Sequence, residues 1–337
     1  MTSTARPRCL VCCGVVDTDH AAEYHPRCSR ALFDRAAPPV LDFGMADIER
    51  IAREEISRRV AVTGVQRKIS LDMTAEEHGR PRRLTFVGLW GRFVLKPPAP
   101  DYREMPELEH ATMHLAAVAG IDVARHALVR LASGELAYIA RRFDRFDGRK
   151  LALEDMCQLT GKLTEDKYRS SMEQVGKAIL RWSSNPGLDA TRLLDVAVFS
   201  FLTGNADMHL KNFSLLTDQD GTIRLAPAYD LLATKLLLVG DPEEMALSLN
   251  GKRARLQRSD FVALGNRMRV AEKAVAATFE RFAGLRQDLL DAIDASFLSP
   301  PTKEAYRTLL ADRCERLEIG SEGQPAQGTR AVNPGRT

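Results

Sequence analysis

Residues 203–212 read TGNADMHLKN and contain the most informative pattern in the chain. Apolar residues recur at helical spacing before this stretch, and Gly204 is placed to end that helix, so the stretch is predicted to be a loop. Asp207 and Asn212 stand five positions apart with Lys211 between them, a layout typical of phosphotransfer loops. We expect Asp207 to accept a hydroxyl proton, Asn212 to ligate Mg²⁺ and Lys211 to neutralise phosphoryl charge. The alternative is that these side chains only satisfy backbone groups of a turn.

Three polar residues outside this loop extend the pattern. Asp230 lies among apolar neighbours, where a buried carboxylate needs a partner such as a metal ion, although a helix N-cap is the alternative. Lys96 ends a short apolar run, and Glu109 follows on a predicted helix. A strand lysine braced by a helical glutamate is how kinases hold nucleotide phosphates. Taken alone, each of these two residues is most often a solvated charge.

A turn at residues 63–68, TGVQRK, is a candidate phosphate cradle. Gly64 allows close approach of backbone N–H groups to an anion. A single glycine is weaker evidence than the three-glycine loop of protein kinases.

Hydrophobic periodicity divides the chain into a β-rich part followed by a helical part, an α+β arrangement. A meander of antiparallel strands is expected from the runs at residues 60–63, 68–73, 84–87 and 92–96, and two further strands are expected at 127–131 and 136–139. Helices are expected at residues 46–59, after Pro106, and at 170–182, 191–203, 259–284, 285–297 and 303–318. One hairpin is expected within the helical part, at residues 213–217 and 222–226.

Composition favours a globular, cytoplasmic protein. The chain has 337 residues with 45% hydrophobic side chains, enough for a substantial core, which excludes a mainly disordered chain. The 48 basic and 45 acidic side chains leave a net charge of +3, too small to indicate a general polyanion binder. We expect neither a membrane span nor a signal peptide, because no apolar run approaches roughly 18 residues. The crowding of four cysteines into the first 28 residues favours a reducing compartment.

Those early cysteines form a candidate metal site. Cys9 and Cys12 make one CxxC-like pair, His25 and Cys28 make a second, and twelve residues separate the pairs. Four such ligands suit tetrahedral Zn²⁺, and a 37-residue segment has little core of its own. A thiol-rich loop packed on the rest of the protein is the alternative. The helical pair His110 and His114 lacks a third ligand and is interpreted as ordinary surface or core histidines.

The chain resembles the HipA-type kinases, toxin serine/threonine kinases of bacterial toxin–antitoxin modules, and within them the short HipT form. The resemblance runs from about residue 60 to 318 and is carried by TGVQRK at 63–68, LKP at 95–97, Glu109, RRFDR at 141–145, EDMCQ at 154–158, residues 204–212 and Tyr229–Asp230. It implies a two-lobed, protein-kinase-like fold with a small β-rich N-lobe and a larger helical C-lobe. Together with composition, it gives the expected domains: a Cys/His segment at 1–37, the N-lobe at 38–142, the C-lobe at 143–318 and a flexible tail at 319–337.

The resemblance also implies roles for individual residues. Asp207 would be the catalytic base, Lys96 would contact the phosphates of ATP, and Asn212 and Asp230 would hold Mg²⁺. The backbone around Arg141 and Phe143 would meet adenine, and Gly64 with its neighbours would cover the phosphates.

Family members are inactivated when a serine in the glycine loop is phosphorylated. In this chain the loop reads AVTG at residues 61–64, so Ala61 replaces one serine and Thr63 takes the second serine position of the HipT pattern. Thr63 is therefore the expected autophosphorylation site.

The resemblance further implies an aminoacyl-tRNA synthetase as substrate and antitoxin partners. These would be a helix-turn-helix, HipB-like protein and a small, HipS-like protein, with DNA contacted only through the antitoxin. Two other functions stay open at this stage: a small-molecule, antibiotic-type phosphotransferase, and a zinc-dependent nucleic-acid-binding regulator. An inactive pseudokinase conflicts with the presence of Lys96, Asp207, Asn212 and Asp230.

Overall fold

A β-rich part precedes a helical part along the chain, as the hydrophobic periodicity predicted. The computed structural model describes residues 7–16, 23–56, 68–74, 82–87, 91–146, 148–238 and 240–320. The first part contains α1 (Pro26–Phe33), α2 (Met45–Ile56), β1 (Ile69–Met73), β2 (Leu84–Phe86), β3 (Phe93–Lys96), α3 (Met105–Val118), β4 (His126–Arg130) and β5 (Leu136–Arg141). The predicted strand at residues 60–63 lies outside the described residues.

The five strands form one antiparallel sheet, but the predicted meander is wrong. The spatial order is β2-β1-β3-β5-β4, so β1 separates β2 from β3, which a meander would make neighbours. The two further strands, β4 and β5, pair with each other. The connection from β2 to β3 is anchored on β1, because Ser70 accepts hydrogen bonds from the N–H groups of Val87 and Gly91. A side chain at Gly91 would meet the backbone of β1, since its Cβ would lie 2.5 Å from the Leu71 carbonyl oxygen.

Both faces of this sheet are covered, and Lys96 lies on the face that is covered by α3. Leu95 and Ile139 are paired neighbours on β3 and β5, and they pack toward α1 and α2. Lys96 and Tyr138 form the next pair and face the opposite side, because successive residues of a strand alternate between faces. That opposite side carries α3, so the end of β3 presents a lysine to a helix.

The second part is mainly helical and has the larger core. Its elements are β6 (Arg145–Phe146), β7 (Arg149–Lys150), β8 (Ala152–Asp155), α4 (Met156–Leu159), α5 (Met172–Trp182), α6 (Pro186–Leu202), β9 (Ser214–Thr217), β10 (Ile223–Leu225), α7 (Arg258–Arg267), α8 (Glu272–Gly284), α9 (Arg286–Ala295) and α10 (Pro300–Arg316). Helix α6 is central and buries Phe199, Phe201 and Leu202 completely. Helix α3 also packs into this core through Leu108 and Leu115, and thereby joins the sheet to the helical part.

Two expectations for the helical part need correction. The single helix expected at residues 259–284 is two helices, α7 and α8. The break falls where Arg269 has a φ of 60° and the Val270 N–H returns to the Gly265 carbonyl, which closes α7. The expected hairpin is present as β9 and β10, but β8 adds a third strand along β9 that the sequence pattern did not reveal.

None of the helices within the described ranges combines the length and apolar character needed to cross a membrane.

Candidate active site

The loop at residues 203–212 connects the end of α6 to β9, as predicted. Helix α6 ends at Leu202, and Gly204 turns the chain with a φ of 67°. A Cβ at Gly204 would lie 2.6 Å from Leu309, so both the backbone conformation and the available space favour glycine. A short 3₁₀ turn at Leu210–Asn212 then leads into the strand. The polar residues of this loop are therefore held between two packed elements.

Asp207 and Asn212 are brought together within this loop. The Asn212 Nδ2 donates to the Asp207 carbonyl oxygen at 3.2 Å, and Asn212 is buried while Asp207 is exposed. The carboxylate of Asp207 accepts a hydrogen bond from the Tyr168 hydroxyl at 2.7 Å. Tyr168 was missed from the sequence, because it lies 39 positions away in a loop without a distinctive pattern.

Lys211 is oriented by a carboxylate of the preceding small sheet. Its Nζ lies 2.5 Å from Asp155 Oδ2, at the end of β8. Asp155 also caps α4, because its side chain accepts the Gln158 N–H while the Gln158 side chain accepts the Asp155 N–H. The Asp-x-x-Gln spacing of this capping box was a readable signal for Asp155, but its contact with Lys211 was not.

Lys96, Glu109 and Asp230 form an ion cluster in which Lys96 and Glu109 are buried and Asp230 is half-buried. The Lys96 Nζ lies 2.5 Å from Glu109 Oε1 and also forms an ion pair with Asp230 Oδ1. Lys96 is 5% exposed and Glu109 is 1% exposed. The second oxygen of Asp230 lies 3.0 Å from the half-exposed Lys68 Nζ. The strand lysine and the helical glutamate predicted from sequence therefore meet, and Lys68 is a partner that the sequence did not indicate.

Burial and charge shift the proton affinities of this cluster in opposite directions. Burial raises the pKa of Glu109 to about 7, although the Lys96 ammonium partly opposes that rise. Burial alone would also raise the pKa of Asp230, but Lys96 and Lys68 together hold that pKa below its ordinary value. Burial would lower the pKa of Lys96, yet its two carboxylates raise it above the ordinary value. The two carboxylates therefore favour the charged form of Lys96 in this cluster.

Direct contacts tie the loop at residues 203–212 to the segment that carries Asp230. The hydroxyl of Tyr229 donates to the Lys211 carbonyl at 2.8 Å. The Ala206 N–H donates to the Thr234 hydroxyl at 2.9 Å, and the Lys235 N–H donates to the Gly204 carbonyl at 3.1 Å. These bonds hold the loop with Asp207 and Asn212 next to the loop that carries Asp230, while Lys96 and Glu109 reach Asp230 from β3 and α3.

The expected adenine-binding segment begins at the last residue of β5, Arg141. The Arg141 N–H donates to the Arg125 carbonyl, and the Arg141 guanidinium lies 2.7 Å from the Asp34 carboxylate. The Phe143 ring packs on Tyr229 with 5.7 Å between ring centroids. Arg141 is thus engaged with its neighbours through both its backbone N–H and its side chain, and Phe143 borders the segment that carries Asp230.

Two expected functional positions cannot be placed. Thr63 and Gly64 lie outside the described residues, and so does most of the expected tail, from residue 321 onward.

The four predicted metal ligands, in contrast, converge. One ligand atom from each of Cys9, Cys12, His25 and Cys28 lies within 4.8 Å of the other three. His110 is fully buried and His114 is half-buried, and their rings stack with 6.2 Å between centroids, so neither is an isolated surface histidine.

Comparison with known proteins places this geometry in a family. A family model described as the HipA-like C-terminal domain matches residues 60–289. The chain belongs to the HipA-like family. Y4mE of Sinorhizobium fredii is 36% identical to this HipA-like chain over 211 residues, which are 60% of the chain and 48% of Y4mE. The serine/threonine-protein kinase toxin HipA of Shewanella oneidensis is 28% identical over 298 residues, 77% of this chain and 64% of HipA.

The solved structures support the same fold. The structure of Shewanella oneidensis HipA, in its complex with HipB and operator DNA, has a TM-score of 0.63 and 22% identity to this chain, and covers 80% of this chain and 72% of that one. The HipA-like chain therefore has the mixed α and β, kinase-like fold expected from its sequence. It spans between about half and two thirds of the length of these curated relatives.

Proposed function

We propose that this HipA-like chain is an ATP- and Mg²⁺-dependent protein serine/threonine kinase that acts as a toxin. The observation that carries the proposal is the buried Lys96–Glu109 ion pair joined to Asp230. In protein kinases a strand lysine, a helical glutamate and a metal-binding aspartate must all be in place for transfer. Membership of the HipA-like family supports the same reaction class.

In the proposed reaction Asp207 accepts the proton of the attacking hydroxyl. Asp207 is exposed, as a base that receives a protein substrate must be, and its carboxylate is oriented by Tyr168. Lys96 holds nucleotide phosphates, and Glu109 keeps the ammonium in position. Lys211 is placed by Asp155 to meet negative charge near the transferred group. The residues act by positioning and by charge neutralisation.

The residues that would hold Mg²⁺ are Asn212 and Asp230. Both offer oxygen atoms, the donors that this hard cation prefers. The Asn212 amide hydrogens are directed at the Asp207 carbonyl, which leaves the amide oxygen as the donor. When bound there, Mg²⁺ would supply positive charge that neutralises the phosphate oxygens.

The proposed substrate is a protein of the translation apparatus, such as an aminoacyl-tRNA synthetase, and the proposed compartment is the cytoplasm. Thr63 is proposed as the autophosphorylated residue of the glycine loop, and Arg141, Phe143 and Gly64 as nucleotide contacts. The proposed partners are a helix-turn-helix antitoxin and a small separate antitoxin of the HipS type. Support for the first comes from Shewanella oneidensis HipA, which has been solved together with HipB and operator DNA.

Labelling with γ-phosphate-labelled ATP tests the proposal. The purified chain, incubated with bacterial lysate and Mg²⁺, is expected to label serine or threonine residues of protein, and EDTA is expected to abolish the labelling. Expression should also arrest growth, and co-expression of the neighbouring antitoxin should reverse the arrest. Label found only in small molecules would instead identify an antibiotic-type phosphotransferase. No ATP turnover together with salt-dependent DNA binding by the chain alone would identify a nucleic-acid-binding regulator.

Tyr168→Phe is expected to lower kcat roughly tenfold and to leave the KM for ATP unchanged. The substitution removes the hydroxyl that orients the Asp207 carboxylate but touches none of the groups proposed to hold the nucleotide. Steady-state kinetics with varied ATP and a fixed peptide substrate measure both constants. Tyr102→Phe, between β3 and α3, is the control. An unchanged kcat, or a raised KM for ATP, would show that Tyr168 does not position the base.

A further inference from the structure

Four soft side chains of the N-terminal segment surround a common point. The Cys12 Sγ lies 3.3 Å from His25 Nδ1, and the Cys28 Sγ lies 3.8 Å from the same nitrogen. With Cys9, all four ligand atoms lie within 4.8 Å of one another. Tetrahedral Zn²⁺ with bonds of about 2.3 Å to sulfur separates its ligands by about 3.8 Å. The spacing therefore fits one tetrahedral ion.

The local backbone is built to bring these residues together. A tight turn joins the first two cysteines, in which the Cys9 N–H donates to the Gly14 carbonyl and the Cys13 N–H donates to the Cys9 carbonyl. Cys13 takes a left-handed φ of 59° in this turn. Helix α1 then begins at Pro26, which puts His25 at its N-cap and Cys28 in its first turn. Both ligand pairs are thus held by regular local structure.

The histidine ring is also oriented for binding through one particular nitrogen. The His25 Nε2 lies 2.9 Å from the Val15 carbonyl oxygen, a partner that accepts the ring N–H. That bond leaves Nδ1 with its lone pair directed at the thiols of Cys12 and Cys28. A hydrogen bond from the second ring nitrogen to a carbonyl is the usual support of a metal-bound histidine.

The segment has a small interior of its own around the ligands, since Leu32 and Phe33 of α1 pack instead into the core of the sheet. Its own buried cluster contains Cys9, Val16 and Cys28, so two of the three members are candidate ligands. A segment with so small an apolar core needs a further source of stability, and a structural metal supplies one.

We propose that the chain binds one Zn²⁺ through the thiolates of Cys9, Cys12 and Cys28 and through His25 Nδ1. Binding releases the three thiol protons to solvent and fills all four tetrahedral positions with protein ligands. No position remains for water or substrate, so the ion is structural and lies outside the phosphotransfer reaction.

The zinc-bound segment covers an edge of the sheet. β4 is an outer strand, and its Leu128 N–H donates to the Leu10 carbonyl at 2.8 Å. The Tyr24 hydroxyl donates to the Leu128 carbonyl, also at 2.8 Å. Leu10 and Tyr24 each lie within a few residues of a ligand, so zinc holds the groups that protect this edge. An uncovered strand edge is open to exchange and to association with other chains.

The first experiment measures metal in the full chain purified from zinc-supplemented medium. One zinc per chain is expected by elemental mass spectrometry. Replacement by Co²⁺ is expected to give the intense visible bands and near-ultraviolet sulfur-to-cobalt band of a tetrahedral thiolate site. Cys12→Ser is expected to lose bound zinc, while Cys13→Ser, which removes a neighbouring buried thiol that is not a ligand, is expected to keep it. A parent chain that holds no zinc would overturn the assignment. So would zinc that is retained in Cys12→Ser and lost in Cys13→Ser.

The second experiment uses the parent chain and does not depend on the folding of a variant. Removal of zinc by a chelator is expected to accelerate hydrogen exchange at the Leu128 amide by about tenfold or more, while amides of the central helix α6 keep their protection. Exchange at Leu128 that is the same with and without zinc would show that the ion does not hold the segment on the sheet. A cobalt spectrum of octahedral, oxygen-rich type would show that the four residues are not the ligands.

Discussion

Asp207→Asn is expected to reduce phosphoryl transfer between about 100-fold and 10,000-fold, the usual contribution of a general base. Asparagine keeps the size of the side chain and an oxygen that accepts from Tyr168, but it cannot take up the hydroxyl proton. Because Asp207 is exposed, the free energy of unfolding should change by less than about 0.5 kcal/mol. ATP affinity should also be retained, since the residues proposed to bind ATP are elsewhere.

Initial rates at saturating ATP and Mg²⁺, calorimetric ATP binding and urea unfolding measure the three quantities. Asp291→Asn, an exposed aspartate on α9, is the matched control. The same pair of variants can be compared by phosphoproteomics shortly after induction, which would also identify the substrate. Transfer at the parent rate by folded Asp207→Asn protein would refute the assignment of the base.

Lys96→Met is expected to abolish transfer and also to lower the free energy of unfolding by about 3–5 kcal/mol. Methionine fits the space but leaves Glu109, only 1% exposed, without its cation. Lys68→Met is the control for stability. Lys68 also pairs with Asp230 but is half exposed, so its loss should cost less than about 1 kcal/mol.

A second substitution separates the two effects of Lys96→Met. The double variant Lys96→Met with Glu109→Gln removes the stranded carboxylate and is expected to recover most of the stability but none of the activity. Urea unfolding and ATP-dependent labelling of the single and double variants measure this. Recovery of transfer in the double variant would show that Lys96 does not contact the phosphates.

The stability deficit of Lys96→Met should depend on pH. In the parent chain, burial raises the pKa of Glu109 to about 7, so the folded state favours the protonated carboxyl. The stability that this protonation contributes is lost as the pH rises through 7. Removing Lys96 also removes the positive charge that opposed the rise in the pKa of Glu109, so in Lys96→Met this pKa is higher still. The deficit relative to the parent is therefore expected to grow from about pH 6 to about pH 9.

Much of the fold was readable because local patterns specify local structure. The apolar stripe and the proline at the start of α3 predicted that helix, and the Asp-Gln-Asp-Gly turn predicted the β9–β10 hairpin. Strand order was not readable, since alternation identifies a strand but does not say which strand pairs with it. The break between α7 and α8 was missed because a single left-handed residue, Arg269, ends α7 within a continuous apolar pattern.

For the candidate site, the sequence by itself determined which side chains are available: the polar loop with Asp207 and Asn212, the lysine that ends β3, and the cysteine and histidine pairs near the N-terminus. Their spacing along the chain is a local property, so it can be recognised without a fold. Only the tertiary structure decided their partners. Lys96 and Asp230 are 134 positions apart, and Tyr168 reaches Asp207 across 39, so these contacts exist only once distant elements pack together. Burial, which turns Lys96 and Glu109 from ordinary surface charges into a tightly coupled pair, is likewise a property of the packed molecule.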